Sequence, residues 1–348
     1  MKPMKQMVAA AATLLMTSAA WAQVNLTAET ASPGGATYLS PAHMTEIAGT
    51  AGIANIQLTD GQTLTNSVQN VAEGKTDIAA VPHILPFLMS RGVGPYGALG
   101  KETGAELASN LRAINPFTLG IFLLFAYDAK GVGGWDDIEG RKIYNGPPRG
   151  GALTNARTMI QLVTGLKDGE GYEGMQVNWG QSVATITGGE PDAAVLPELF
   201  PGSRLTTATS AGKMTGWSMP KAVYDSEPMQ KYMVAPGSAP FTISVADLQE
   251  KMGEDWTFIS EDETFRAFAT IGGNVVHKDM DEALVYDLVT AYIGSLDALK
   301  AKAPFGDTVD FDNPMLGMCG ANPIKYHPGA ARAWREAGYT LDDCAVAN

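Results

Sequence analysis

Basic side chains are in short supply: 24 Lys and Arg stand against 37 Asp and Glu, for a net charge of −13. A nucleic-acid binder needs a basic stripe to neutralise phosphates, so that class is excluded. A polybasic membrane-surface protein is excluded on the same ground. Cysteine is scarcer still, with only Cys319 and Cys344. Two thiols cannot by themselves fill a four-ligand zinc site or build a disulfide-dense scaffold. Long apolar runs are missing after the first two dozen residues, the densest being the short stretch 121–126. What remains is ample for globular folding: 348 residues, 45% of them apolar, suffice for two domains. With 39 glycines and 20 prolines, many tight loops are expected.

Residues 1–22 (MKPMKQMVAAAATLLMTSAAWA) carry the grammar of an export signal. Lys2 and Lys5 supply a basic start, an apolar stretch follows, and Ala20-Trp21-Ala22 fits small-x-small cleavage before Gln23. The apolar stretch is short of the roughly 20 residues that span a bilayer. The expected mature chain is 23–348, periplasmic and not inserted in a membrane. It is more acidic than the precursor because both lysines leave. In an oxidising compartment Cys319 and Cys344 are expected to pair, the alternative being two separate buried thiols.

The mature chain reads as alternating strands and helices. Residues 24–30 (VNLTAET) alternate apolar and polar, as a half-buried strand does, and end in the loop Ala31-Ser32-Pro33-Gly34-Gly35. A helix is expected over 37–48, a strand over 53–58, and a helix to Glu73 with Thr63 as N-cap. A short buried strand, 77–81 (DIAAV), follows. Residues 119–127 (LGIFLLFAY) predict a strand buried on both faces. Lys142-Ile143-Tyr144 begins another, which leads into Gly146-Pro147-Pro148-Arg149-Gly150-Gly151 and a helix over 154–163. Ala193-Ala194-Val195-Leu196 ends this series at Pro197. Strand–helix–strand order implies βαβ units and a mostly parallel sheet.

Each half thus has a Gly/Pro loop just before a helix. Unpaired N–H groups and partial positive charge at a helix start favour carboxylate or phosphate, and glycine lets a ligand approach the backbone. Such loops lie at the carboxyl ends of parallel strands, where ligands bind in open α/β sheets. The bland alternative, that Gly-Gly pairs are only turns, fits either loop alone equally well.

Catalytic patterns are missing. HExxH, GxxxxGK[ST] and GxSxG do not occur. Gly92-Val93-Gly94-Pro95-Tyr96-Gly97 has the GxGxxG spacing but follows a helical-looking stretch, 84–90, where a dinucleotide loop should follow a strand. His43, His83, His277 and His327 are scattered without metal-ligand spacing. No cofactor, metal or catalytic residue is expected. His83 is retained as a candidate because it lies just past a strand end.

Several motifs in order resemble the TAXI family, the extracytoplasmic receptors of TRAP-type transporters. The most specific is 327–338, HPGAARAWREAG, close to that family's HPGA helix. Gly34-Gly35-x-x-Tyr38 is similar to its GGxY loop. The stretch from Thr59 to Asp77 is similar to its TxGS-x-x-N…G-x-x-D segment. Leu111-Arg112-Ala113-Ile114 and Gly146-Pro147-Pro148-x-Gly150 look like LRAI and GPPGSGT, and Val285-Tyr286-Asp287-Leu288 like its late helix. The chain departs from the family at Gln62-Thr63, Asn66-Ser67, Pro82-His83 and Arg149, which correspond to pocket positions, so the fold carries over more safely than the substrate.

The resemblance implies an α/β, periplasmic-binding-protein-like fold: two βα lobes joined by crossover hinge strands, with a ligand cleft between them. The first lobe is expected over 23–127 plus 272–348 and the second over 128–271. The partners implied are a small carboxylate or amino acid and a TRAP membrane permease. The expected ligand-binding residues are Gly34, Gly35, Tyr38, Thr63, Asn66, Ser67, Pro82, His83, Arg149, Gly150, Gly151 and Thr154. Arg149 offers a planar fork for a carboxylate, or is a solvated loop arginine. Tyr38 closes over the ligand, or is a core aromatic; His83 donates to a second carboxylate, or is structural. The competing readings are a binding protein for an ABC importer or sensor kinase, and an enzyme on the same architecture.

Overall fold

The computed structural model describes residues 23–347. The expected export signal, residues 1–22, lies outside them. Among the described residues twelve strands form one sheet.

The first βα series is β1 (Val24–Glu29), α1 (Ala36–Thr50), β2 (Ala54–Thr59), α2 (Leu64–Ala72), β3 (Ile78–Pro82) and α3 (Ile84–Arg91). Then come α4 (Gly100–Ser109) and the long strand β4 (Leu111–Tyr127). A second series follows as β5 (Lys142–Tyr144), α5 (Gly151–Thr164), β6 (Glu173–Met175), α6 (Ser182–Thr187), β7 (Ala193–Glu198) and α7 (Ser203–Ala208). The chain continues through β8 (Met214–Trp217), α8 (Lys221–Tyr224), α9 (Glu227–Met233), β9 (Ser238–Ser244), α10 (Val245–Met252) and β10 (Trp256–Ile259). The second long strand, β11 (Thr264–His277), leads to α11 (Glu282–Ile293), α12 (Leu296–Ala301), β12 (Lys325–Tyr326) and α13 (Pro328–Glu336).

The sheet order β2-β1-β3-β11-β4-β7-β5-β6 contains the same arrangement twice. In each series the second strand lies outside the first, and the third returns to its inner side. Right-handed crossovers that reverse direction put successive helices on opposite faces. The second lobe bears this out, since Ala156, Met159 and Ile160 of α5 share one core while Ile186, Leu205 and Ala208 of α6 and α7 share another.

Strands β4 and β11 belong to both lobes. In the first lobe β11 is antiparallel to β3, Gly272 opposite Pro82, and to the amino half of β4, His277 opposite Leu111. In the second lobe Ile121 of β4 lies opposite Glu198 of β7, and Tyr127 opposite Met214 of β8. The partners of β4 therefore change between Thr118 and Ile121. Residues 119–127 are expected as the crossover strand, and from Ile121 onward their neighbours on one side are β7 and β8. Their alternation serves two cores at once: Ile121, Leu123 and Phe125 face one, while Phe122, Leu124 and Ala126 face the other.

The C-terminal segment returns to the first lobe. His327 caps α13, its Nδ1 accepting from the Gly329 N–H (3.3 Å), with Pro328 in the first turn. Trp334 is fully buried and its indole N–H donates to the Ile114 carbonyl of β4 (2.9 Å). Cys319 and Cys344 are joined, with Cα atoms 5.5 Å apart.

Candidate functional site

The parallel strands of both lobes point their carboxyl ends at the crossover. Pro82 ends β3 opposite Gly272, and Glu198 ends β7 opposite Ile121, so both strand ends sit at hinge level. The topological switch points lie between β1 and β3 and between β5 and β7, where successive loops leave for opposite faces. Crevices at such points take ligands in open α/β sheets.

On the first lobe the β1–α1 loop carries Gly34, at φ 109, and Gly35 at the N-cap of α1. The positive φ at Gly34 is a conformation that a side chain would strain. Tyr38, half-buried in the first turn of α1, donates its backbone N–H to the Gly35 carbonyl (3.1 Å). The β2–α2 loop lies against it, since the Gln62 N–H donates to the Thr30 carbonyl (2.9 Å). Thr63 and Asn66 are exposed there, whereas Ser67 is buried. Thr63 occupies the N-cap position but its hydroxyl makes no capping bond. The helix start is held instead by the Thr63 carbonyl, which accepts from Asn66 N–H at 2.8 Å and Ser67 N–H at 3.3 Å. Ser67 faces inward near Glu29, where Thr76 Oγ1 (2.6 Å) and Asn70 Nδ2 (3.0 Å) donate to the carboxylate. Burial opposes charge on Glu29, but these donors win and hold its pKa below the usual range.

His83 departs furthest from its expected role as a ligand donor. It is 0% exposed, behind the strand end, and its backbone N–H donates to the Ile271 carbonyl (3.0 Å). Its Nδ1 lies 3.5 Å from Asn322 Nδ2, and Nε2 is buried without a partner. Burial pushes the imidazole down to about 4, so the ring is neutral at pH 7.

On the second lobe Gly146, Arg149, Gly150, Gly151 and Thr154 all belong to the loop between β5 and the first turn of α5. Gly150 has φ 105, and Arg149, Gly150, Gly151 and Thr154 are exposed. Thr154 donates its hydroxyl to the Gly150 carbonyl (3.2 Å). The loop is anchored by Asn145, fully buried, whose amide donates to Asp168 (3.2 Å) and accepts from Gln176 (2.8 Å). Arg157 completes this anchor through Asp168 (2.6 Å). Arg149 makes no ion pair among the described residues and stands free at the loop tip.

The structure brings a third group to the same level that the sequence patterns do not single out. Arg204 of α7 donates Nε to Glu198 (2.6 Å) and Nη2 to the Pro197 carbonyl (2.7 Å), and its guanidinium lies 4.7 Å from the centre of the Trp179 ring. Burial pushes the Glu198 carboxyl up, with Arg204 pulling the other way. The one sequence signal was position, because Pro197-Glu198 closes a buried strand run. The loops of the two lobes meet where the Thr308 hydroxyl donates to the Phe200 carbonyl (3.0 Å). A separate groove of about 290 Å³, lined by Tyr326, Arg332, Arg335 and Val346 among others, lies beside the end of β4 remote from the crossover.

Two βα lobes and two shared crossover strands define the class, a periplasmic-binding-protein-like fold. Residues 28–338 match the NMT1-like family, and the chain belongs to that family. No curated protein matches the chain significantly. Among solved structures it is similar to a TRAP periplasmic solute binding protein from Rhodobacter sphaeroides, at 13% identity over 90% of this chain and 92% of that one, with TM-score 0.46. It is similar to the aliphatic sulphonate binding protein SsuA from Escherichia coli, at 10% identity over 82% and 79%, with TM-score 0.43. A third is DctP7, a Bordetella pertussis extracytoplasmic solute receptor binding pyroglutamic acid, at 9% identity over 90% and 93%, with TM-score 0.43. Among the described residues no helix is long and apolar enough to cross a membrane.

Proposed function

We propose that the chain is the periplasmic solute receptor of a TRAP-type transporter, of the TAXI kind, and that it has no turnover of its own. It captures a small organic anion or amino acid through its carboxylate, closes the two lobes over it, and presents the closed form to the permease. The observation that carries this reading is the repeated strand order, which turns two sets of glycine-bearing loops toward one two-stranded crossover. Closure bends β4 and β11 near Thr118–Ile121 and Thr270–Ile271, and ligand contacts to both lobes favour the shut state.

An acidic protein repels anions on average, so the ligand charge needs local cations and N–H groups. Arg149, Gly150, Gly151 and the start of α5 supply these on the second lobe, and Gly34, Gly35, Tyr38 and the start of α1 on the first. Thermal-shift measurement across C4–C6 dicarboxylates, amino acids and aromatic acids tests the reading. A ligand at about 100 times its Kd should stabilise by about 2.7 kcal/mol. Absence of any shift across the whole set overturns it, and product formed from a stabilising compound replaces it with an enzyme.

A further inference from the structure

We infer that Trp179, Arg204 and Glu198 form a recognition platform on the second lobe, and that the platform takes a carboxylate attached to a planar, aromatic body. The inference rests on the receptor reading and narrows its ligand class.

The platform is assembled from two strand ends, Trp179 following β6 and Glu198 with Arg204 at the end of β7 and in α7. The segment after β6 runs beside the loop after β5, since the Val177 N–H donates to the Gly146 carbonyl (3.1 Å). This delivers Trp179 to the carboxyl end of the sheet. There its indole remains 40% exposed although a guanidinium lies against it. A large aromatic left open beside the strand ends, with a guanidinium on its ring, offers a flat face for contact. Glu198, 3% exposed and at hinge level opposite Ile121, anchors the arginine from behind.

Arg204 is restrained on two edges, by the Glu198 carboxylate and the Pro197 carbonyl, while Nη1 has no hydrogen-bond partner among the described residues. A guanidinium fixed in this way is already oriented for a carboxylate and loses little freedom on binding. Glu198 balances its charge, so the platform reads directionality and shape, with long-range attraction left to Arg149. The uncovered part of the Trp179 ring then favours a flat π-system over a flexible aliphatic chain. A purely structural ion pair would need neither the exposed indole nor the open guanidinium edge.

The test is titration of the purified mature chain with benzoate, phenylacetate, indole-3-acetate, succinate and L-glutamate, followed by calorimetry and tryptophan emission. An aryl carboxylate should bind best and change the emission, and Trp179→Phe should remove most of that change while keeping affinity. Trp179→Leu and Arg204→Lys should each weaken binding about tenfold or more, through lost stacking and lost fork geometry. Trp179 is exposed enough that its variants test the platform even if Arg204→Lys folds poorly. Carboxylate binding that neither Trp179→Leu nor Arg204→Lys alters overturns the platform and leaves the receptor reading standing. Preference for succinate or glutamate over every aryl acid overturns the planar-body assignment. Failure of all five compounds to bind overturns the platform, while the carboxylate reading falls only if the wider panel of acids and amino acids fails as well.

Discussion

Gly273 and His83 meet back to back at the hinge: a Cβ built on Gly273 would stand 3.1 Å from His83 Nε2 and would collide with the Asn115 carbonyl oxygen. The glycine lets β11 pass close enough for the imidazole to pack against backbone. Gly273→Ala should therefore destabilise the fold by about 3 kcal/mol, the upper range for overpacking. Urea unfolding measures this, and an unchanged midpoint would show that the strands separate without cost.

The same histidine sets a pH dependence. Its imidazole titrates near 4 when folded, because burial disfavours the cation, and near 6.5 when unfolded. The unfolded chain thus binds the extra proton between these values, so stability falls as pH drops from about 6.5 toward 4. The loss amounts to about 3 kcal/mol at the acid end. Burial lowers His43 and His327 as well, so the comparison that isolates His83 is wild type against His83→Gln. The variant should show a shallower acid limb in urea midpoints across that range, and parallel limbs would exclude the assignment.

Arg149→Ala should weaken an anionic ligand by about 2 kcal/mol, the scale of a charge-assisted hydrogen bond. Because Arg149 is exposed and free of ion pairs among the described residues, its loss should leave the melting temperature of the free protein unchanged. Calorimetric affinity and ligand-free melting, measured together, separate a binding role from a structural one.

Reduction of the Cys319–Cys344 bond should cost about 3 kcal/mol, the loop-closure contribution for a sequence separation of 25. The bond tethers a segment that touches the hinge, where Gly317 packs on Ile271 and Asn322 lies beside His83. Denaturant midpoints with and without reductant, and for Cys319→Ser, check the size.

Much of the scaffold is legible in the residues because its signals are local. The continuous apolar run 119–127 announces a strand with two buried faces, and Gly34-Gly35 and Gly150-Gly151 mark helix starts. The amino half of β4 is not legible in the same way. Arg112, Asn115, Pro116 and Thr118 interrupt its apolar pattern, and its pairing with β11 joins residues far apart in sequence. Trp179 and Arg204 escape notice for a similar reason, since only the order of β5, β6 and β7 makes them neighbours. His83 is visible as a residue at a strand end, but its burial depends on how closely Gly273 and Ile271 approach.

The doubled strand order has one more consequence. A rotation that lays one lobe on the other would bring β1 onto β5 and β3 onto β7, so Gly34-Gly35 answers to Gly150-Gly151 and Pro82-His83 to Glu198-Leu199. The backbone alone would then hold a molecule equally well in either of two opposed orientations. Side chains break the tie, because one half keeps its imidazole buried behind the strand end and the other holds an ion pair at that level. A guest entering this nearly palindromic seat would have a head and a tail, and its charged end would lie against the later half of the chain.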